Sequence, residues 1–196
     1  MKKFKGETLQ AKVINAIQSR IESANNANQS KTLTAELQQF SAKSAIAALQ
    51  ALQNLEVDVD TLAKRIAISD KVNRDFVAVY ALQKVRKTIY ALALKSSAAL
   101  DRYSFSILKN LCDLQRLDNL NTQRAICSKI ELDELAQEQA VRVYHNCAPS
   151  TASTQASSTR MMLAVLNICD VSKGKKGDSI AFSDSATSKA MQALFN

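Results

Sequence analysis

Apolar residues recur three and four positions apart along most of the chain, the spacing that lines one face of a helix. Leu9, Val13, Ile14, Ile17 and Ile21 mark a first amphipathic helix, and the polar stretch 25–30 reads as a break after it. Leu33, Leu37 and Phe40 open a second helix that Ile46, Leu49 and Leu52 continue. Its middle, SAKSAIAALQAL, is rich in small residues that let helices approach closely. Val57 and Val59 alternate with acids in EVDVD, where Asp60 is placed to cap a short helix through Ile66. Ser69 is the next cap. From 71 to 95, Val72, Phe76, Val77, Tyr80, Leu82, Val85, Ile89 and Leu92 point almost all the way round a helical wheel. A helix apolar on every side is enclosed by others, so this one is predicted to be the buried centre of a bundle. Lys84, Arg86 and Lys87 interrupt it and must snorkel or emerge at an edge.

The second half repeats the pattern less cleanly. Leu100, Ile107, Leu111 and Leu114 predict a helix over about 98–117, followed by a turn at 119–121. Thr122 is placed to cap a helix carrying Ile126 and Ile130, and Leu132, Leu135, Ala136 and Val143 predict helix over 132–146. Pro149 closes that stretch. STASTQASST (150–159) is a linker or the polar approach to a helix centred on RMMLAVLNI, about 154–166. LNICDV and DSIAFS then flank a polar tip, SKGKKG, and the last helix, SDSATSKAMQALF, starts from Ser183 or Asp184 as cap. No internal repeat is present.

Composition agrees with helix. Three glycines, one proline and no tryptophan are too few turn formers for a sheet-rich fold. The predicted class is all-α, a multi-helix bundle around the central helix 71–95, with room for one small β-hairpin near 167–183. The predicted division is a helical core domain over 1–148 and a C-terminal part over 149–196 holding a helix, a basic hairpin or turn, and a final helix. No run approaches 18 apolar residues, which predicts no membrane span, and MKKFKGETLQ lacks the apolar stretch of a secretory signal. Cys112, Cys127, Cys147 and Cys169 form no CxxC pair. Reduced thiols in a cytoplasmic protein are the reading preferred, with two disulfides in an exported chain as the alternative.

Charge narrows the partners. The formal net charge of +8 favours a polyanion, and it is spread as +4 over 1–50, +3 over 51–100, −1 over 101–150 and +2 over 151–196. The stretch DVSKGKKGDS (170–179) concentrates two of the glycines with three lysines. It is not a phosphate-binding P-loop, because its glycines are three apart and Asp178 follows Gly177. GKKGDSI fits the GxxG loop of KH domains over seven residues, without strands around it to form a KH sheet. As a hairpin, its glycines supply the positive φ values of a tight tip. Helix, connection, helix and hairpin over about the last 65 residues, from near 132, then resemble a winged-helix DNA-binding domain in element order and charge. That resemblance implies a second helix in the major groove, with Arg160 and the hydroxyls of 153–159 facing DNA. Lys173, Lys175 and Lys176 would form the wing tip. The plainer reading of the same residues is a solvated turn whose lysines keep an exposed edge soluble. TLAKRIAISDKVNRDF (61–76) resembles a helix-turn-helix, but Val72 falls one position early for the recognition-helix aliphatic, so two ordinary helices meeting at Ser69 fit better.

Catalytic chemistry finds little support. His145 is the sole histidine and lies two residues from Cys147, a spacing that separates side chains on a helix. The cysteine spacings match no zinc motif. Glu131, Glu134 and Glu138, with Asp133 beside them, read as acids stabilising a helix N-terminus rather than as a Mg²⁺ site. The chain therefore reads as non-enzymatic, without cofactor, metal or catalytic residue. Its expected role is that of a nucleic-acid-binding accessory protein with Lys173, Lys175, Lys176 and Arg160 on the phosphate backbone, and Lys12 and Arg20 of the first helix as a second contact. Few aromatics lie in these stretches, which favours duplex over single strand. The alternative is a structural or assembly subunit, of a viral or phage particle or a scaffold, that forms homo-oligomers with other copies of itself through helix packing.

Overall fold

The computed structural model describes residues 2–24, 27–68, 77–132, 139–174 and 177–196, which form two compact units dividing between Ala99 and Leu100. The protein is mostly helical with one small antiparallel sheet, the class its apolar periodicity implies. The division expected near 148 is not where the two units part.

The first unit contains α1 (Lys2–Glu22), α2 (Ala27–Ser41), α3 (Lys43–Asn54), α4 (Val59–Ala67) and α5 (Val79–Leu94), closed by a 3-10 turn at Ser97–Ala99. Helix α1 packs against α2, α3 and α4, and α5 packs against α2 and α3. Val13, Ile17, Leu33, Phe40, Leu49, Leu52, Leu62, Ile66, Leu82 and Ile89 fill the space between them. The single helix expected over 33–52 is broken at Ala42, whose ψ of 147° is extended. The break is stabilised from α1: the Gln10 side-chain amide donates to the carbonyls of Phe40 (2.7 Å) and Ala42 (3.0 Å). Residues 27–30, expected in a polar break, are the first turn of α2. Asp58, not Asp60, caps α4, accepting from the Asp60 amide at 2.9 Å and the Thr61 hydroxyl at 2.5 Å.

Helix α5 is buried along most of its circumference, as its all-round apolar pattern predicts. Its cations stay largely inside. Lys84 is buried, and Arg86 forms a two-pronged pair with the buried Glu36 of α2 (Nε to Oε2 2.6 Å, Nη2 to Oε1 3.2 Å). One stripe remains open, with Tyr80 64% and Leu94 66% exposed. Ser69, Val72 and Phe76, and with them the second half of the helix-turn-helix resemblance, lie outside the described residues.

The second unit runs α6 (Arg102–Leu114), β1 (Arg116–Leu117), α7 (Asn119–Arg124), α8 (Pro149–Val165), β2 (Cys169–Ser172), β3 (Ser179–Phe182) and α9 (Ala186–Gln192). The sheet order is β1-β3-β2, all antiparallel, with Leu117 opposite Ile180 and Cys169 opposite Phe182. Asp101 caps α6, and Gln115 at φ 62° turns the chain so that 116–117 leave the expected helix and pair with β3. The turn expected at 119–121 is the start of α7, capped by Asp118, and Thr122 lies inside that helix rather than at its cap. Ser185, not Ser183 or Asp184, caps α9. The STASTQASST stretch is helix from the outset, since Pro149 opens α8 rather than ending an earlier element.

The helix expected over 132–146 is absent from its described residues, and Glu131 is non-helical, while Asp133, Glu134 and Glu138 lie outside them. Two buried polar residues of α6 explain the difference. Asn110 accepts from the Arg142 amide (2.7 Å) and donates to the Arg142 carbonyl (2.7 Å), taking both groups that a helix would have used. Ser106 donates to the Ala125 carbonyl (2.5 Å) and accepts from the Tyr144 amide (3.1 Å). Side-chain partners thus satisfy an irregular backbone.

Candidate functional site

The small β-hairpin predicted near 167–183 is present. β2 and β3 pair from Cys169–Phe182 to Ser172–Ser179, and the Gly177 amide donates to the Gly174 carbonyl at 3.2 Å across the tip. Gly177 has a φ of +107°, and a Cβ there would lie 2.8 Å from Asn119 Cβ. Glycine is needed at 177 for its backbone angle and for the approach of the hairpin to the first residue of α7.

Arg160 secures the same corner. From the middle of α8 its Nη1 donates to Asn119 Oδ1 and, at 3.4 Å, to the Asp178 carbonyl. Burial pulls the guanidinium below its ordinary pKa, with the Asp178 carboxylate opposing. The residue expected to face DNA therefore joins α8, α7 and the hairpin. Arg116 adds a further hydrogen bond to the Ser179 hydroxyl at 2.8 Å.

The other predicted contacts separate. Lys173 is exposed beside the tip, whereas Lys175 and Lys176 lie outside the described residues. Lys12 and Arg20 belong to the first unit. Lys12 is exposed and paired with Asp60 at 2.5 Å. Arg20 is only 4% exposed, donating to the carbonyls of Ile66 (3.2 Å) and Val77, and burial lowers its pKa. It fastens α1 to the end of α4 and the approach to α5.

Helix α8 divides its hydroxyls between two faces. Ser158 and Thr159 are buried, Thr159 sharing a hydrogen bond with Ser104 of α6 at 3.3 Å. Ser150, Ser153, Thr154 and Ser157 are exposed on the other side and carry no charge. Its N-terminus has no acid in the first turn and no side-chain cap from Ala148; Pro149 carries no N–H, and the Thr151 and Ala152 amides donate to the Ala148 carbonyl. Charge is uneven between the units: residues 1–99 hold 15 basic and 8 acidic side chains, residues 100–196 hold 11 and 10.

His145 packs on the ring of Phe105 (centroids 6.3 Å, 76°), and Phe105 also meets Tyr144 and Phe195, which places the histidine in an aromatic cluster. Among the described residues no group of three or more His, Cys, Asp or Glu is gathered to hold a metal, and no helix is long and apolar enough to cross a membrane. The internal roles of Arg20 and Arg160 have no signal in the sequence beyond their apolar neighbours Ile17, Ile21 and Met161. No protein-family model, curated protein or solved structure matches the chain.

Proposed function

We propose that the protein is a non-enzymatic, cytoplasmic nucleic-acid-binding accessory protein that holds duplex with its second unit. The observation that carries this reading is the order helix, short strand, helix, helix, hairpin, with the hairpin's second strand central in a β1-β3-β2 sheet. That arrangement, which begins at α6 rather than near 132, resembles a winged helix, and the resemblance implies α8 as the groove-facing helix and the hairpin tip as the wing. The exposed hydroxyls of α8 offer hydrogen bonds to phosphate, and small side chains there allow close backbone approach. Because that face is uncharged, the electrostatic share of binding falls to Lys173, Lys175 and Lys176, and to the cation-rich first unit.

The test is a titration of duplex DNA, duplex RNA and single strand across a salt series. The Lys173→Glu, Lys175→Glu, Lys176→Glu triple variant is run beside the wild type. The expected result is duplex binding with a log–log salt slope that shrinks by about two to three units in the variant. No binding to any of the three at low salt overturns the reading. A second reading, self-assembly, is favoured by one feature, the open Tyr80 and Leu94 stripe on α5. Sedimentation without nucleic acid separates the two, since assembly predicts oligomers that Leu94→Glu dissolves.

A further inference from the structure

Cys127 and Cys147 stand at the two ends of the segment between α7 and α8, and the chain brings them back together. The Cys147 amide donates to the Ile126 carbonyl at 2.8 Å, and the Ser128 amide donates to Asn146 Oδ1 at 3.1 Å. Through the first of these contacts, four covalent bonds and one hydrogen bond connect the two Cα atoms. Both segments are also fixed from α6, because one hydroxyl, Ser106, donates to Ala125 on one side and accepts from Tyr144 on the other. Cys127 is fully buried and Cys147 half-buried. The backbone contact between Cys147 and Ile126 draws the Cα atoms of the two cysteines together, which favours a disulfide, a bond that tolerates little movement of its Cα atoms.

We propose that Cys127 and Cys147 are a dithiol site that closes to an intramolecular disulfide by exchange with a small-molecule disulfide such as oxidised glutathione. Cys147, the more accessible, gives its proton to solvent and its thiolate attacks one sulfur of the small disulfide. One glutathione thiolate leaves and is protonated. Cys127 then loses its proton and attacks the Cys147 sulfur, and the second glutathione leaves. Two protein thiols are oxidised and one small disulfide is reduced to two thiols. Burial and the neighbouring Cys127 hold the Cys147 thiol above its ordinary pKa, with Arg102 opposing, so the exchange is slow at neutral pH. The bond closes residues 128–146 into a loop and fixes the chain next to Ala148, where α8 begins. The inference is independent of the nucleic-acid reading.

The experiment treats the full-length protein with excess oxidised glutathione at mildly alkaline pH, alkylates the remaining thiols, and maps peptides without reduction. The expected product retains two alkylatable thiols, Cys112 and Cys169, carries no glutathione, and links the Cys127 and Cys147 peptides. Its unfolding midpoint is higher than that of the reduced protein, and a dithiol reductant reverses the change. Cys127→Ser should instead trap a glutathione adduct on Cys147, and Cys147→Ser should leave Cys127 unreacted. Four alkylatable thiols after treatment overturn the proposal. So does a lasting adduct on wild-type Cys147, or a bridge between Cys112 and Cys169.

Discussion

Gly177 and Asn119 approach so closely that a methyl group on the glycine would lie 2.8 Å from the asparagine Cβ. The position also has a φ of +107°, where side chains are strained regardless of space. Gly177→Ala should therefore destabilise the protein by about 1–3 kcal/mol. Urea unfolding of the variant checks this, and a midpoint equal to wild type would mean that the hairpin tip does not rest on α7.

Arg20 tests whether a basic residue of α1 acts inside or outside. Its guanidinium serves two carbonyls, Ile66 and Val77, near which the Val77 amide also donates to the Arg65 carbonyl at 3.3 Å. Arg20→Met leaves both acceptors short of their donor and should cost about 2–4 kcal/mol. Hydrogen exchange at the Val77 amide should quicken in the same variant. If stability holds while affinity for nucleic acid drops, Arg20 is a surface contact after all.

The α4 cap gives a pH signature. Its hydrogen bond from the Thr61 hydroxyl, followed by backbone amides, holds the exposed Asp58 carboxyl below its ordinary value of 3.8. The folded pKa is depressed, so the stabilisation is complete above the unfolded value and fades as pH falls through the folded one. Asp58→Ala should lower stability by about 1 kcal/mol at neutral pH, a loss that shrinks below about pH 4. Comparing wild type and variant at several pH values by urea unfolding checks the sign. A deficit that grows on acidification would contradict it.

How far the sequence disclosed this molecule follows from which partners are local. The stripes of α1 and α6, the enclosed pattern of α5 and the β2–β3 hairpin are written in neighbouring residues, and periodicity finds them. The break at Ala42 depends on Gln10, more than thirty residues away, and the irregular path through Arg142 depends on Asn110. No local pattern encodes either. Arg86 finds Glu36 across two helices for the same reason. At the candidate site, Lys173 was legible because a lysine at a glycine-flanked tip has nowhere to go but outward. Arg160 and Arg20 were not, since a long cation reads alike whether its head meets solvent or a carbonyl.

Arg160 and Ser157 lie one turn apart on α8 and should respond in opposite ways. Arg160→Met removes the donor to Asn119 and Asp178 and should destabilise the protein by about 1–3 kcal/mol. It should leave the salt slope of duplex binding unchanged, because the guanidinium faces protein. Ser157 is exposed, so Ser157→Glu should alter stability by less than about 0.5 kcal/mol. Its new charge would repel phosphate, weakening duplex binding by roughly threefold to tenfold at low salt. Parallel unfolding curves and binding titrations decide the matter. Should Arg160→Met instead reduce the slope by about one unit with stability intact, the guanidinium contacts phosphate and its bonds to Asn119 and Asp178 open on binding. Should Ser157→Glu bind as wild type, α8 does not face the nucleic acid, and the winged-helix placement fails even if the lysines of the tip still matter.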